Sequence, residues 1–305
     1  MFARRHLTAA AIVLAAAATA LAPVLAPAVA NAAAPASIVN GTKGNGLTIS
    51  NGGPYVVMNG TVVDFHTDVR DLAWNPTGTK AVFVDSNGNL ETANANGTDR
   101  VVIAEHGSGQ VWSHPTWETS PATPVGYYPG NNIIFTSATR TATELEEVPA
   151  NSVNAKLWTV AQLNGSNWAN AGGFLSKDPE SKGSFVFDNT RSGQVFIEDV
   201  YLRPMVDLLG AGSEPALSPN ADEVVFVRSI AGHDHIMEET LTAGRAGSVR
   251  DLTPHAATDF TEPTFSANGE TIAFRAPNGT YTVPANGSHA PVKVSGYTGL
   301  AAYRG

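Results

Sequence analysis

The sequence predicts an all-β protein: a six-bladed β-propeller of four-stranded antiparallel blades, closed by pairing of its N- and C-terminal strands. Three observations carry that expectation. A phrase recurs along the chain: an acidic or His residue, a Pro or Leu step, a turn of the Ser/Asn-Pro-x-Gly kind, then a short apolar strand ending in Phe. It reads Asp71-Leu72-Ala73-Trp74-Asn75-Pro76-Thr77-Gly78 before Phe83, and Glu214-Pro215-Ala216-Leu217-Ser218-Pro219-Asn220-Ala221 before Phe226. A third copy reads Glu262-Pro263-Thr264-Phe265-Ser266-Ala267-Asn268-Gly269 before Phe274. The second observation is spacing. Phe83, Phe135, Phe187, Phe226 and Phe274 follow one another at steps of 52, 52, 39 and 48 residues, against roughly 40–50 for a propeller blade, so the two long steps imply loop insertions. The third is composition: 29 Gly and 19 Pro punctuate short runs of Val, Ile, Phe, Thr and Tyr, which is strand-and-turn chemistry without a helical period.

Taken in order, the chain opens with a segment that does not belong to the fold. Arg4 and Arg5 precede an Ala/Leu-rich run from Leu7 to Leu21, and small residues follow up to Ala32. A basic start, a short apolar middle and an A-x-A site make a secretory signal peptide. The run is short for a membrane span and is interrupted by Pro23 and Pro27. Sec export is the default expectation, with Arg4-Arg5 leaving twin-arginine export open. The domain reading is therefore residues 1–32 signal peptide, 33–45 a flexible mature N-terminus, and 46–305 the propeller.

Within the propeller, Leu47-Thr48-Ile49, Tyr55 to Met58 and Val62 to Phe65 supply three strands of a first blade. Each later blade carries the Pro-aromatic step on its first strand and Phe at the end of its second. The third strands alternate, as in Leu90 to Ala93, Leu157 to Val160, Val195 to Glu198, His235 to Glu238 and Thr280 to Val283. Fourth strands follow at Arg100 to Ala104, Arg203 to Leu208, Val249 to Thr253 and Pro291 to Ser295. Loop insertions are expected at about 118–130 and 138–155, the second because Thr141 to Val148 carries Glu144, Glu146 and Glu147 beside Pro149. Gly299 to Tyr303 is a spare strand after the last full blade; pairing it into the first would close the ring and remove the open sheet edge.

The phrases at Glu214 to Phe226 and Glu262 to Phe274 resemble the blade repeat of TolB-like, WD-type β-propellers, Pro-x-Trp-Ser-Pro-Asp-Gly-x-x-Ile-Ala-Phe. The chain departs from it with Ala267 for Pro, Leu217 and Phe265 for Trp, and Asn220 and Asn268 for Asp. The resemblance covers most of the mature chain and implies the propeller fold, with an envelope-associated or translocation role. The same blade also serves enzymes such as polysaccharide lyases, so the fold alone carries no reaction.

Composition narrows the partners. The formal net charge is −9, and loss of Arg4 and Arg5 would make the mature chain more acidic still. Such a balance disfavours a phosphate backbone or an anionic membrane surface, so nucleic acid is not expected. No Cys is present, which removes disulfides, thiolate metal sites and lipidation at a mature N-terminal Cys. Roughly 270 residues remain after cleavage, enough for one large core built by burial alone.

Four chemical readings compete. No Gly-x-Ser-x-Gly is present, and Gly107-Ser108-Gly109 reads as a turn. His233-Asp234-His235, followed by Glu238 and Glu239, could supply half of a metal site, since residues two apart on a strand share a face; falling at the turn and start of a third strand, they read first as a solvated hairpin. Asp85-x-Asn87-x-Asn89-x-Glu91 has calcium-like spacing but lacks the Gly and Glu such a loop needs, and Asn87-Gly88 reads as a hairpin turn. The fourth reading is the strongest. Asp71, His114, Glu214 and Glu262 hold equivalent places on innermost strands, so they should gather at one mouth of the central channel. There they would bind a cation, a basic group or a hydrogen-bonding ligand, or else bond blade to blade. Trp112, Trp117, Tyr127, Tyr128, Trp158 and Trp168 form a second candidate surface, with Trp117 and Trp158 expected in the core.

The resulting expectation is a secreted or cell-envelope-associated, non-enzymatic, monomeric propeller. It binds a protein or cell-envelope glycan through Asp71, His114, Glu214 and Glu262, with no cofactor, no metal, no nucleic acid and no membrane span after signal cleavage. The alternative is a carbohydrate-active, lyase-like propeller using a His/carboxylate metal site.

Overall fold

The computed structural model describes residues 40–119, 131–162, 184–189, 192–199, 205–242 and 245–305. The expected signal peptide lies outside these residues, as do Tyr127, Tyr128 and Trp168. Six antiparallel sheets form the blades of a propeller. Blade 1 holds β1 (Leu47–Ser50), β2 (Tyr55–Met58) and β3 (Thr61–Asp64). Blade 2 holds β4 (Arg70–Trp74), β5 (Lys80–Val84), β6 (Leu90–Asn94) and β7 (Val101–Ala104). Blade 3 holds β8 (Val111–Thr119), β9 (Asn131–Ala138), β10 (Thr143–Pro149) and β11 (Trp158–Gln162). Blade 4 holds β12 (Ser184–Asn189), β13 (Gln194–Asp199) and β14 (Met205–Ala211), three strands among the described residues. Blade 5 holds β15 (Ser213–Leu217), β16 (Glu223–Ile230), β17 (His233–Thr242) and β18 (Arg245–Asp251). Blade 6 holds β19 (Thr261–Phe265), β20 (Thr271–Ala276), β21 (Gly279–Pro284) and β22 (Val292–Ser295).

The last strand, β23 (Leu300–Tyr303), pairs with β1, Ile49 opposite Ala301, and completes blade 1 as its innermost strand. The ring is thereby closed by its two ends, as the spare strand implied. Side chains reinforce the join. Trp74 Nε1 donates to Thr48 Oγ1 (2.9 Å), and Thr48 Oγ1 donates to the Ala302 carbonyl (2.9 Å). The Arg304 guanidinium lies over the Trp74 ring, 5.3 Å from its centroid, and its Nε donates to the Gly78 carbonyl.

The core is not one mass but a set of layers between blades. Alternation on the second strand explains how one short run serves two layers. Ala81 and Phe83 pack toward blade 1 with Val56, Phe65 and Trp74, whereas Val82 and Val84 pack toward blade 3 with Trp112 and Phe135. Likewise Val224 and Phe226 face blade 4, and Val225 and Val227 face blade 6. Strands buried on both faces must read as continuous apolar runs, which is why these runs are the clearest signal in the sequence. All five repeat Phe residues are buried.

The turn after the first strand is built by one side chain. Asn75 Oδ1 accepts the Thr79 and Lys80 N–H groups (2.8 and 3.0 Å); Ser218 Oγ accepts that of Glu223 (2.9 Å), and Ser266 Oγ that of Thr271 (3.0 Å). Asn and Ser are favoured here because a short polar side chain can replace the missing ladder bonds. Residues 40–45, ahead of β1, include a 3-10 turn at Asn40–Thr42, and Thr42 Oγ1 accepts the Gly60 N–H (2.9 Å).

Blade 3 departs from the expected layout. The Glu-rich stretch read as a loop is β10, paired residue by residue with β9 from Thr143 opposite Ala138 to Pro149 opposite Asn132. Leu145 and Val148 are buried and Glu146 meets Thr159, so cross-strand pairing outweighs the poor strand preference of Glu. It follows that Trp158 begins the fourth strand, β11, rather than lying in the third, and its side chain is 54% exposed instead of in the core.

Candidate functional site at the channel mouth

The innermost strands β4, β8, β15 and β19 share one irregularity. Arg70 pairs with Val84 and Ala73 with Val82, so Asp71 and Leu72 together oppose Phe83. The same two-against-one bulge sets His114 and Pro115 against Phe135, Glu214 and Pro215 against Phe226, and Glu262 and Pro263 against Phe274. The two halves of the recurring phrase are thus one structural unit: a β-bulge and the Phe that faces it. The first bulge residue adopts a left-handed backbone each time, with φ of 55° at Asp71, 50° at His114, and 51° at both Glu214 and Glu262. This conformation is uncommon outside glycine, and three of the four residues precede proline, which restricts them further.

A bulge leaves its N–H without a ladder partner, and the preceding blade supplies one. His114 N–H donates to Asp71 Oδ2 (3.1 Å), Glu262 N–H to Glu214 Oε2 (2.6 Å), and Glu214 N–H to Asp188 Oδ2 (3.0 Å). Asp71 and Glu214 therefore make the blade-to-blade bonds weighed as the structural alternative, each with one oxygen. Glu262 Oε2 lies 3.2 Å from Arg275 Nη1, within ion-pair reach but not aligned as a hydrogen bond. Asp188 Oδ1 is buried without a hydrogen-bond partner among the described residues.

Asp71 and His114 line a central channel of about 220 Å³ together with Trp74, Trp117, Phe265 and Tyr303. Glu214 and Glu262 stand at the same strand position but are not among the residues that line it. The geometry therefore brings Asp71 beside His114, and Glu214 beside Glu262. Asp188 and Arg275 join the second pair. Burial pushes the Glu262 carboxyl up to about 7; Arg275 pulls it down, while the Glu214 and Asp71 carboxylates push it further up. Burial likewise raises Asp188 to about 6, with the Glu214 charge adding and the Glu214 N–H opposing.

Asp188 and Arg275 were not singled out in the sequence. A signal existed. Both directly follow the repeat Phe, Phe187 and Phe274, where the other second strands carry Val84, Thr136 and Val227. A charge inside an otherwise apolar central strand is rarely placed without a partner.

The other candidates resolve locally. Asp85 Oδ1 accepts the Asn87 and Asn89 N–H groups (both 2.8 Å), making the hairpin turn. Glu91 belongs instead to a buried pair with Arg100. His235 is buried with Nδ1 2.9 Å from Asp251 Oδ2, while His233 lies 3.4 Å from Asp259, so each His has its own carboxylate. Among the described residues, no three His, Asp or Glu side chains converge as a metal site. Gly107 and Gln110 close the turn that carries Ser108 (3.1 Å). Trp112 is core, its ring tilted against that of Phe135, and Trp117 Nε1 donates to Asn131 Oδ1 (2.7 Å).

Neither protein-family profiles nor curated proteins match the sequence. Solved structures do match. TolB from Acinetobacter baumannii superposes with a TM-score of 0.59 at 17% identity, over 85% of this chain and 65% of that one. A TolB from Agrobacterium tumefaciens described as putative gives 0.60 at 14% identity, over 83% and 90%. The chain has the TolB propeller fold. It spans a little under two-thirds of the Acinetobacter protein. A second likeness is to an oligogalacturonate lyase in complex with manganese, with a TM-score of 0.53 at 12% identity over 78% of this chain and 69% of that one. At these identities the TolB-like description concerns architecture. No helix among the described residues of the TolB-like propeller is long and apolar enough to cross a membrane.

Proposed function

We propose that this chain is an exported, non-enzymatic propeller that binds a protein or cell-envelope ligand at its channel mouth. One observation carries the reading: Asp71, His114, Glu214 and Glu262, one per blade, hold the same left-handed bulge position around an open channel. Backbone strain repeated at a concave polar mouth points to a role beyond packing. Asp71 and His114 meet the ligand, and Glu214 and Glu262 shape the wall behind them. The acidic balance of the chain favours a ligand offering basic or hydrogen-bonding groups. The TolB-like repeat supports an envelope-associated role.

The test is saturable binding of the purified protein to isolated cell-wall glycan and to solubilised envelope proteins. Asp71→Asn with His114→Gln should weaken saturable capture by about tenfold, the effect of losing one or two directed hydrogen bonds, with melting unchanged. Equal capture by the folded double variant would refute the site.

The likeness to a manganese-bound lyase supports a second reading, in which the buried His235–Asp251 pair begins a metal site. Formation of unsaturated products from oligogalacturonate with manganese, abolished in His235→Ala, would replace the binding reading.

A further inference from the structure

The run Asp188, Glu214, Glu262 links β12, β15 and β19 of blades 4, 5 and 6, and nothing in a ligand-binding role requires Asp188 to be buried so deeply. Asp188 is only 4% exposed, spends Oδ2 on the Glu214 N–H, and leaves Oδ1 without a hydrogen-bond partner among the described residues. Glu214 then holds the Glu262 N–H, and Glu262 leaves Oε2 beside Arg275 without a hydrogen bond. A neutral carboxyl suits such positions. An ionised Asp188 would add a buried charge next to the Glu214 carboxylate, and an ionised Glu262 would face both Glu214 and the opposing Arg275.

We propose that this run is a proton-operated latch: protons on Asp188 and Glu262 keep β12, β15 and β19 of blades 4, 5 and 6 joined, and their loss loosens that seam beside the channel mouth. The charged groups acting on Glu262 are Arg275 on β20, Glu214 on β15 and Asp71 on β4; burial raises its carboxyl most, Arg275 opposes, and the two carboxylates add to the rise. On β23 the corresponding stretch, Leu300 and Ala301, pairs with β1 without a bulge and carries no charge. From β16, Arg228 is engaged with the Ala211 carbonyl (2.8 Å), and from β17, His233 and His235 are paired with Asp259 and Asp251. Asp188 faces Glu214; Glu198 on the neighbouring β13 sits opposite Phe185 instead.

The sign follows from linkage. Both carboxyls are raised above their ordinary values, Asp188 to about 6 and Glu262 to about 7, so the folded protein keeps protons that the unfolded chain has released. Their contribution is complete below about pH 4 and is lost as pH rises through about 6 to 7. The latch holds in mild acid and loosens near neutrality.

Hydrogen exchange of the full chain, corrected for intrinsic rates, reads this directly. Between about pH 5 and pH 8, protection in β12, β15 and β19 should fall by about tenfold or more, while β5 and β6 of blade 2 stay level. Asp188→Asn and Glu262→Gln imitate the protonated forms and should flatten the profile. If either variant does not fold, the wild-type contrast between blades 4–6 and blade 2 still decides. A level wild-type profile, or an unchanged slope in folded variants, would overturn the latch. The readout is backbone exchange without ligand, so its failure leaves the binding reading standing.

Discussion

Replacing Gly78 by Ala should cost about three times as much stability as the same change at Gly269, although the two residues occupy the same place in the same turn. Each has a positive φ (63° and 75°) and donates its N–H to the residue three before it (2.8 Å in both). Holding an Ala in this conformation costs about 1–2 kcal/mol, partly offset by about 0.5–1 kcal/mol from a stiffer unfolded chain. At Gly269 little else is disturbed: an added Cβ would meet only Pro219 Cδ at 3.7 Å, an ordinary contact. At Gly78 the Cβ would fall 2.4 Å from the Gly305 carbonyl oxygen and 2.6 Å from Arg304 Cγ. Arg304 must then leave, losing its bond to the Gly78 carbonyl and its place over Trp74, together about 2 kcal/mol. Gly269→Ala should therefore cost about 1 kcal/mol and Gly78→Ala about 3 kcal/mol. Urea unfolding, with hydrogen exchange at β23, measures both. Equal costs would show that the last residues do not contribute to ring closure.

Ala221 already stands in the left-handed turn position of blade 5, at φ 60°, so Ala221→Gly should stabilise by up to about 1 kcal/mol in the same urea titration. Arg100→Met would strand Glu91, whose side chain is 2% exposed, and should cost about 3 kcal/mol at neutral pH. Trp74→Phe removes the donor to Thr48 while keeping most of the packing; about 1–2 kcal/mol is expected, with faster exchange in β1 and β23.

Much of the blade was legible because its signals are local. A turn needs Asn or Ser at its first position and a strand buried on two faces needs an unbroken apolar run, so Asn75 to Val84 announces both. The position of the channel-mouth residues was legible for the same reason, as each sits at a fixed distance before a turn. Their partners were not. Asp188 serves an N–H 26 residues away and Glu214 one 48 residues away, and only ring closure brings those groups together. The bulge was hidden too, because its two-against-one count needs both strands in register. Blade 3 was misread where β10 carries three Glu: strand formation there depends on what β9 and β11 offer across the ladder, which composition does not record.

What the sequence determined by itself is the repeat unit, and hence the blade and the means of closure. The physical reason is that turn chemistry and two-sided burial act over a few neighbouring residues. Tertiary structure alone decided what the variable residue of each repeat does. At the bulge, one blade's carboxylate satisfies the next blade's N–H, and the balance of burial, Arg275 and neighbouring carboxylates sets how tightly Glu262 and Asp188 hold their protons. Electrostatics between blades depends on distances of a few ångströms across the ring.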